Sequence, residues 1–271
     1  METRIIGIAL VRNEDAFVAA ALRNALHLCD RILVVDNAST DRTLEEVARV
    51  AAETGRVEIH RSSDARLSHE LILPYANTAT WIFGIDGDEL YDPRGMEKLR
   101  AEVLRGDYDA WWVVFGNVLN CTRLDRARGT ATGHLSPPCR SMTKLYNFNA
   151  ITGWEGDVPQ RLHGGRIVFK ETHDASRRLN LHERMTWDES HYRCLHLCFL
   201  PRSSALPAGE SGRLNVTETM RWGIAGRVWR RIAGLAGVRI ASGWKLEKYR
   251  RGDPVTVDAT PFFSQEPGVE K

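Results

Sequence analysis

The 271-residue sequence lacks several features that would assign it to a specialised class. No apolar run reaches the roughly 18–20 residues that a helix needs to span a bilayer, so no transmembrane helix is predicted. The N-terminal stretch METRIIGIAL has neither the apolar core nor the cleavage site of a signal peptide, and we therefore expect a cytoplasmic location. No Gly-x-Gly-x-x-Gly follows the first predicted strand, which argues against a dinucleotide-dependent oxidoreductase.

Cysteine is also scarce. There are five cysteines, an odd number, and no pair has the spacing of a disulfide scaffold. Together with the absence of an export signal, this predicts reduced thiols. The sequence also contains no internal repeat that would indicate a solenoid.

The formal net charge of +2 conceals an asymmetry between the two halves of the chain. Residues 1–110 carry 13 Lys and Arg against 20 Asp and Glu, whereas residues 111–271 carry 24 against 15. An acidic front half suits a cation site, and a basic back half suits an anionic partner. Nucleic-acid binding is not expected, because no recognised module accompanies the late basic residues.

The most basic stretch, residues 220–251, is open to two interpretations. Its arginines and lysines alternate with tryptophan and aliphatic residues. A basic amphipathic helix could lie peripherally on an anionic membrane, beside a lipid-linked acceptor. It could equally pack its apolar side on the protein and expose its charges to water. Five glycines in this stretch weaken the helix prediction itself.

Apolar runs at 4–11, 31–35, 56–60 and 80–85 read as strands, and the segments between the first three have helical periodicity. A helix is also expected within 65–78. This alternation predicts an α/β fold with a mostly parallel sheet flanked by helices. Further on, we expect a helix over 93–105, a strand over 110–119, a long loop over 121–143, strands over 165–170 and 192–199, a helix over 218–251 and a loose tail over 252–271.

Carboxylates follow two of these predicted strands. Asp36 closes the second, and WIFGIDGDEL places Asp86 and Asp88 directly after the fourth. Ligands of parallel sheets bind at the carboxyl ends of the strands, so these side chains should meet in one cleft. Close carboxylates require a compensating cation, and Gly87 would let the backbone turn so that both reach one hard divalent ion. A solvated Asp-Gly turn is the alternative explanation of the motif.

Three stretches together, LVRNEDAF at 10–17, VVDNASTDRT at 34–43 and the Asp-Gly-Asp motif, closely resemble the family 2-like glycosyltransferases of the GT-A fold. The resemblance implies a Rossmann-like sheet with an acceptor-side extension. It also implies a catalytic domain over 1–215, divided into a nucleotide-sugar-binding half (1–92) and an acceptor-side half (93–215). A basic helical extension and tail would follow over 216–271.

The resemblance also implies roles for individual residues. Asp86 and Asp88 would hold a divalent ion, Mn²⁺ or Mg²⁺, that bridges the diphosphate of the donor. The nucleotide-sugar site would comprise Val11, Arg12, Glu14, Asp36, Arg66, Asp86, Gly87 and Arg202. Late in the chain, GT-A enzymes often supply a histidine as a further metal ligand. His196 fits that position, with His191 in reserve.

The stretch WEGDVPQRL, residues 154–162, resembles a motif of lipopolysaccharide-core glucosyltransferases, W-x-G-x-V-H-E-x-L. This chain has Pro159 and Gln160 where that subset has His and Glu. An inverting transfer needs a carboxylate as general base, and Asp157 and Glu155 are the nearest candidates. We prefer Asp157, and the alternative is that both are ordinary loop charges.

The function predicted is a metal-dependent glycosyltransferase that moves a sugar from a nucleotide-diphosphate donor to the hydroxyl of a small-molecule or lipid-linked glycan acceptor, with inversion. Two alternatives stay open. One is a non-catalytic sugar-nucleotide-binding protein of the same fold. The other is a phosphohydrolase of the haloacid-dehalogenase type, in which an Asp-x-Asp pair ends the first strand rather than the fourth.

Overall fold

A computed structural model of the protein describes residues 2–139, 143–205 and 248–263. Its α-helices are α1 (Val18–Ala25), α2 (Thr43–Thr54), α3 (Leu67–Glu70) and α4 (Pro93–Arg105). Its strands are β1 (Arg4–Val11), β2 (Arg31–Asp36), β3 (Val57–Arg61), β4 (Thr80–Ile85), β5 (Glu89–Tyr91), β6 (Val113–Phe115), β7 (Asn117–Asp125), β8 (Thr130–Ser136), β9 (Lys144–Asn147), β10 (Ile151–Glu155), β11 (Arg166–Phe169), β12 (Arg178–Asn180), β13 (Arg193–His196) and β14 (Val255–Asp258). None of these helices is long and apolar enough to cross a membrane.

The central sheet has seven strands in the order β12-β6-β9-β4-β1-β2-β3. Strands β4, β1, β2 and β3 are parallel, and β9 runs antiparallel between β4 and β6. The predicted fold class, α/β with a mostly parallel sheet flanked by helices, is confirmed. The three strands that carry the sequence motifs, β4, β1 and β2, lie side by side, so their carboxyl ends form one edge.

Both faces of this sheet are covered, as parallel sheets require. Alternate residues of β1 and β2 point to opposite faces. One set packs with α1, α2 and α4 into a core that includes Val18, Val47 and Met96. The other set packs against α3 and the β10–β11 hairpin, with Ile72 and Trp154. These two coverings hold the loops that surround the carboxyl edge.

A second sheet, β14-β8-β7-β13-β5, is built mostly from the back half of the chain. It corrects two expectations. The segment 121–143, expected to be a loop, is largely the antiparallel pair β7–β8. The expected loose tail contains β14, which pairs with β8 through Val257 opposite Ala131. Polar and apolar residues alternate only weakly in these strands. Their regular structure therefore depends on pairing with the neighbouring strands.

The expected strand 110–119 divides into β6 and β7, which join different sheets. Gly116 separates them, and a Cβ there would lie 2.4 Å from the carbonyl oxygen of Tyr192. The strands expected at 165–170 and 192–199 are present as β11 and β13. The proposed membrane helix and the domain boundary at 215/216 lie outside the described residues, save that Lys248 and Tyr249 form a helical turn. The domain division stays a prediction.

Candidate active site

The carboxyl edge of the parallel strands gathers the motif residues. Val11 pairs in register with Asp36, and Ala9 pairs with Ile85, the residue before Asp86. Asp36 is buried, and its Oδ1 accepts a hydrogen bond from the backbone nitrogen of Ser39 at 3.3 Å. The predicted convergence of Asp36 and Asp86 at one edge therefore follows directly from the strand register.

The turns after β1 and β2 are joined to each other. Asn13, which has a positive φ of 54°, accepts a hydrogen bond from the backbone nitrogen of Thr40 at 2.8 Å. Its own backbone nitrogen donates to Ser39 Oγ at 3.1 Å. Asparagine tolerates this left-handed conformation better than most residues. The two turns thus form one side of the cleft. The Arg12 side chain is exposed at the entrance of this cleft.

Glu14 lies beneath these two turns and is buried. Its backbone nitrogen donates to Thr43 Oγ1 at 2.7 Å, and its Oε1 accepts from Arg202 Nη1 at 2.8 Å. Gly87 leaves space for this carboxylate, because a Cβ at position 87 would lie 2.3 Å from Glu14 Oε2. Gly87 is therefore needed for close approach, whereas the sequence suggested that it was needed for a turn.

Arg202 reaches the edge because the segment around it is tied to the front half of the chain. Ser203 Oγ donates to Asp41 Oδ2 at 2.5 Å, and the backbone nitrogen of Ser204 donates to Asp15 Oδ1 at 2.7 Å. Burial raises the pKa of Asp41, but hydrogen bonds from Ser203 and Thr43 outweigh it and lower the pKa. An ionised Asp41 thus anchors the segment that carries Arg202.

Asp88 is completely buried. Its Oδ2 lies 3.7 Å from Arg202 Nη1, and its Oδ1 lies 3.9 Å from His196 Nε2. His196 arrives there because β13 pairs antiparallel with β5, which begins directly after Asp88. The structure therefore brings together three of the predicted residues, Asp88, His196 and Arg202.

The orientation of His196 suits a metal ligand. Its Nδ1 lies 2.9 Å from Asn120 Oδ1, while Asn120 Nδ2 donates to the carbonyl oxygen of His134. That network assigns the proton to Nδ1 and leaves Nε2 as the nitrogen that faces Asp88. A carboxylate and an imidazole nitrogen at this separation fit a hard divalent ion that completes its coordination with phosphate oxygens and water. Asn120 was not identified from the sequence, since its role depends on the β7–β13 pairing.

Asp86 is bound by an arginine other than the one that lies beside Asp88. Arg161 Nη2 donates to Asp86 Oδ1 at 2.5 Å, and Nη1 donates to the carbonyl oxygen of Ile85 at 2.6 Å. Within the described residues, no group of three His, Cys, Asp or Glu side chains is arranged to hold a metal. Asp88 and His196 fit the ion, whereas the Asp86 carboxylate is engaged by Arg161.

Arg161 itself is held in place by α3, which covers the face of the sheet opposite α1, α2 and α4. Its backbone nitrogen donates to Ser68 Oγ at 2.8 Å, and its carbonyl oxygen lies 2.6 Å from His69 Nδ1. Burial lowers the pKa of His69, so the neutral ring donates through Nδ1. Sequence reasoning missed Arg161, although it occupies the stretch PQRL, where the chain departs from the motif it resembles.

The two candidate bases lie beside the same loop and are both ion-paired. Asp157 pairs with Arg66, which precedes α3, whereas Glu155 pairs with Arg166 across the β10–β11 hairpin. Both carboxylates are largely exposed. The Asp157–Arg66 pair connects the loop to the start of α3, and the Glu155–Arg166 pair stays within the hairpin.

Two further residues border the site and were not singled out from the sequence. Lys144 begins β9, with its Cα paired to that of Gly84. Tyr249, from the C-terminal segment, places its ring edge-on to His196 with centroids 5.5 Å apart. The reserve ligand, His191, instead lies 2.7 Å from Glu102 Oε2 beside α4.

Solved structures similar to the chain include enzymes of several kinds. The mannosyltransferase PcManGT from Pyrobaculum calidifontis, in complex with GDP-Man and Mn²⁺, is 21% identical, with a TM-score of 0.33 over 45% of this chain and 36% of that one. Glucosyl-3-phosphoglycerate synthase from Mycobacterium tuberculosis, in complex with Mn²⁺, UDP-Glc and phosphoglyceric acid, is 16% identical, with a TM-score of 0.36 over 55% and 58%. Mannose-6-phosphate isomerase from Helicobacter pylori is 10% identical, with a TM-score of 0.35 over 54% and 71%.

The match thus spans less than two thirds of the mannosyltransferase and of the synthase. No curated protein matches the chain. The sequence model of glycosyl transferase family 2, by contrast, matches residues 8–174. That range is more than half of the chain and contains the end of β1, all of β2 and β4, and the Asp-Gly-Asp motif. The chain belongs to glycosyl transferase family 2.

Proposed function

We propose that the protein is a metal-dependent glycosyltransferase that transfers a sugar from a nucleotide-diphosphate donor to an acceptor hydroxyl with inversion. The observation that carries this proposal is the gathering of Asp36, Asp88, His196 and Arg202 at one carboxyl edge, on a chain of family 2. Asp36 would bind the base or ribose, with Val11, Arg12, Glu14 and Gly87 lining the pocket.

The diphosphate would lie beside Asp88 and Arg202. Arg202 is held by Glu14 and is 3.7 Å from Asp88, so its charge is available close to the leaving group. Bound at Asp88 and His196, Mn²⁺ or Mg²⁺ would supply charge neutralisation for the departing diphosphate. Asp86, oriented by Arg161, would contact the ribose rather than the ion.

Asp157 is the proposed general base. An inverting displacement needs a carboxylate that accepts the proton of the attacking hydroxyl opposite the departing nucleotide. Arg66 connects Asp157 to the nucleotide side, and a donor that draws Arg66 to its phosphates would release the carboxylate. Glu155 lacks such a connection, because its partner Arg166 belongs to the same hairpin.

A thermal-shift series tests the donor site directly, since a ligand that binds only the native state raises its stability. We expect a UDP-, GDP- or dTDP-sugar to raise the melting temperature in the presence of Mn²⁺ or Mg²⁺, and a CMP-sugar to serve as the monophosphate comparison. Asp88→Asn should abolish the metal-dependent part. Binding that is equal with and without a divalent ion would refute the metal assignment.

A second candidate, a non-catalytic sugar-nucleotide-binding protein, is favoured by one observation: both candidate bases are occupied by arginines. Nucleotide-sugar binding without hydrolysis or transfer on any acceptor would support it. The phosphohydrolase alternative predicts release of phosphate from simple phosphomonoesters. It is disfavoured because the Asp-Gly-Asp motif follows β4, the fourth strand of the fold.

A further inference from the structure

Lys144 lies on the side of the site away from the nucleotide strands. In the central sheet, β9 and β6 flank β4 on one side, and β1 and β2 flank it on the other. The Cα of Lys144 is paired with that of Gly84, two residues before Asp86. A Cβ on Gly84 would lie near both a methyl group of Leu162 and the carbonyl oxygen of Lys144. Lys144 is therefore close to Leu162, the residue that follows Arg161.

Arg202 and Arg161 lie beside different aspartates of the Asp-Gly-Asp motif. They define two regions of the site. Arg202 and Glu14 lie beside Asp88, near the start of α2, where the diphosphate is expected. Arg161 lies beside Asp86, fixed to α3 through Ser68 and His69. Lys144 belongs to the second region, since the charges of Asp86 and Arg161 both act on its ammonium group.

Within the described residues, the ammonium group of Lys144 makes no hydrogen bond and no ion pair within 4 Å. It is partly buried, and burial lowers its pKa. Asp86 and Glu89 attract the ammonium group, whereas Arg161 and Lys248 repel it. Asp86 is already engaged by Arg161. A partly buried cation that lacks a direct ion pair gains from an external anion.

Arg161 offers a further donor in the same region. Two of its guanidinium nitrogens donate to Asp86 and to Ile85, while Nε is buried and makes no hydrogen bond within the described ranges. Guanidinium and ammonium groups together are the usual partners of phosphate and carboxylate. Asp86 bonds directly to Arg161, whereas no carboxylate of the described residues bonds directly to Lys144.

We propose that Lys144 and Arg161 form a subsite for an anionic group, a phosphate or a carboxylate, carried by the acceptor. This inference rests on the proposed glycosyltransferase function, because it assigns this side of Asp86 to the acceptor. It gives the acceptor a chemical class: a hydroxyl compound with a negative charge near the hydroxyl that is glycosylated.

Binding measurements on the nucleotide-loaded protein test the subsite. With Mn²⁺ and the nucleoside diphosphate at saturation, calorimetric titrations would compare glucose 6-phosphate, glucuronate and glucose. We expect at least one anionic probe to bind at least tenfold more tightly than glucose, and the better of the two identifies the anion. Lys144→Met should remove this preference and leave the affinity for the nucleoside diphosphate unchanged. Lys144→Arg should restore it.

Lys98→Met, which removes an exposed lysine on α4, is the matched control and should behave like the wild type. Equal affinity for the charged and neutral probes would overturn the proposal, as would a preference that survives Lys144→Met. A Lys144→Met protein that loses the nucleoside diphosphate instead would assign Lys144 to the donor. If the wild-type protein binds no nucleoside diphosphate, the proposed function itself fails, which is a separate result seen before any probe is added.

Discussion

Arg161 holds the carboxylate of Asp86 with a hydrogen bond of 2.5 Å, while Asp88, two residues later, faces His196 and Arg202. The two aspartates of one short motif thus have separate partners on opposite sides of the sheet edge. This separation supports the different roles proposed for the two carboxylates, orientation of the donor for Asp86 and ion binding for Asp88.

Replacing Arg161 should affect stability and metal affinity in opposite directions. Arg161→Gln leaves a partly buried carboxylate without its cation and should lower the free energy of unfolding by about 1–3 kcal/mol. Because it also removes a positive charge near the ion site, Mn²⁺ should bind about three- to tenfold more tightly. Urea unfolding and Mn²⁺ titration measure the two effects.

The matched control for this variant is Arg166→Gln, which removes an exposed arginine of the same hairpin. Exposed ion pairs contribute little, so neither quantity should change appreciably. If Arg161→Gln lost stability but bound Mn²⁺ with unchanged affinity, Arg161 would have a purely structural role, and the division of the motif described above would be wrong.

Gly87 should tolerate no side chain. In Gly87→Ala the new methyl group would overlap Glu14 Oε2 and displace the partner of Arg202. We expect a loss of about 1–3 kcal/mol in the free energy of unfolding and weaker binding of the nucleoside diphosphate. Gly153→Ala is the control, because a Cβ there meets no atom within 4 Å. Equal behaviour of the two variants would contradict the contact.

The succession of the first four strands along the chain and the meeting of Asp36, Asp86 and Asp88 at one edge could be predicted from the sequence. They depend on local features, namely apolar runs of strand length and carboxylates at their ends. The partners of those carboxylates could not be predicted. Arg161 lies more than 70 residues after Asp86 in the chain. It reaches Asp86 only because Ser68 and His69 hold the loop that carries Arg161.

The second sheet shows the same limit. Strands β7, β8 and β14 are polar, and the Gly-, Thr- and Arg-rich stretch between 121 and 143 resembles a loop by composition. Its regular structure comes from cross-strand hydrogen bonds, which β-propensity describes poorly because they depend on the neighbours. Asn120, which orients His196, is placed by this pairing and has no signal of its own in the sequence.

Asn120 should control the affinity for the divalent ion through His196. In Asn120→Ala the ring loses the acceptor of its Nδ1 proton and with it the orientation that presents Nε2 to Asp88. Changes to such supporting partners typically cost about 10–100-fold in metal affinity. His196→Ala should be at least as severe, whereas His173→Ala, a half-buried histidine bonded to the Asp109 carbonyl, should have no effect. Mn²⁺ titrations in which Asn120→Ala matches the wild type would exclude His196 as a ligand oriented by Asn120.

The burial of His69 beside the Arg161 loop should make stability depend on pH. Burial lowers the pKa of His69 below its ordinary value of about 6.5, so the unfolded chain takes up a proton that the folded protein excludes. Stability is therefore complete above pH 6.5 and falls as the pH decreases towards the folded pKa, by at most about 1.4 kcal/mol per pH unit.

Urea unfolding at pH 7.5, 6.5 and 5.5 tests this sign. His69→Gln, whose amide can still donate to the Arg161 carbonyl, should have a flatter profile than the wild type. His182 and His191, whose pKa values burial also lowers, contribute equally to both proteins. Parallel profiles of the variant and the wild type would show that His69 does not titrate as described.

The two candidate bases should separate in a donor-hydrolysis assay, in which water is the acceptor and no natural acceptor is needed. Asp157→Asn should lower kcat by about 10²–10⁴-fold, because a positioned base contributes about that factor, and should leave KM for the donor nearly unchanged. Glu155→Gln should stay within a few-fold of the wild type, since Glu155 pairs only across its own hairpin. Loss of turnover in Glu155→Gln alone would transfer the role to Glu155. Unchanged turnover in both variants would show that neither carboxylate accepts the proton.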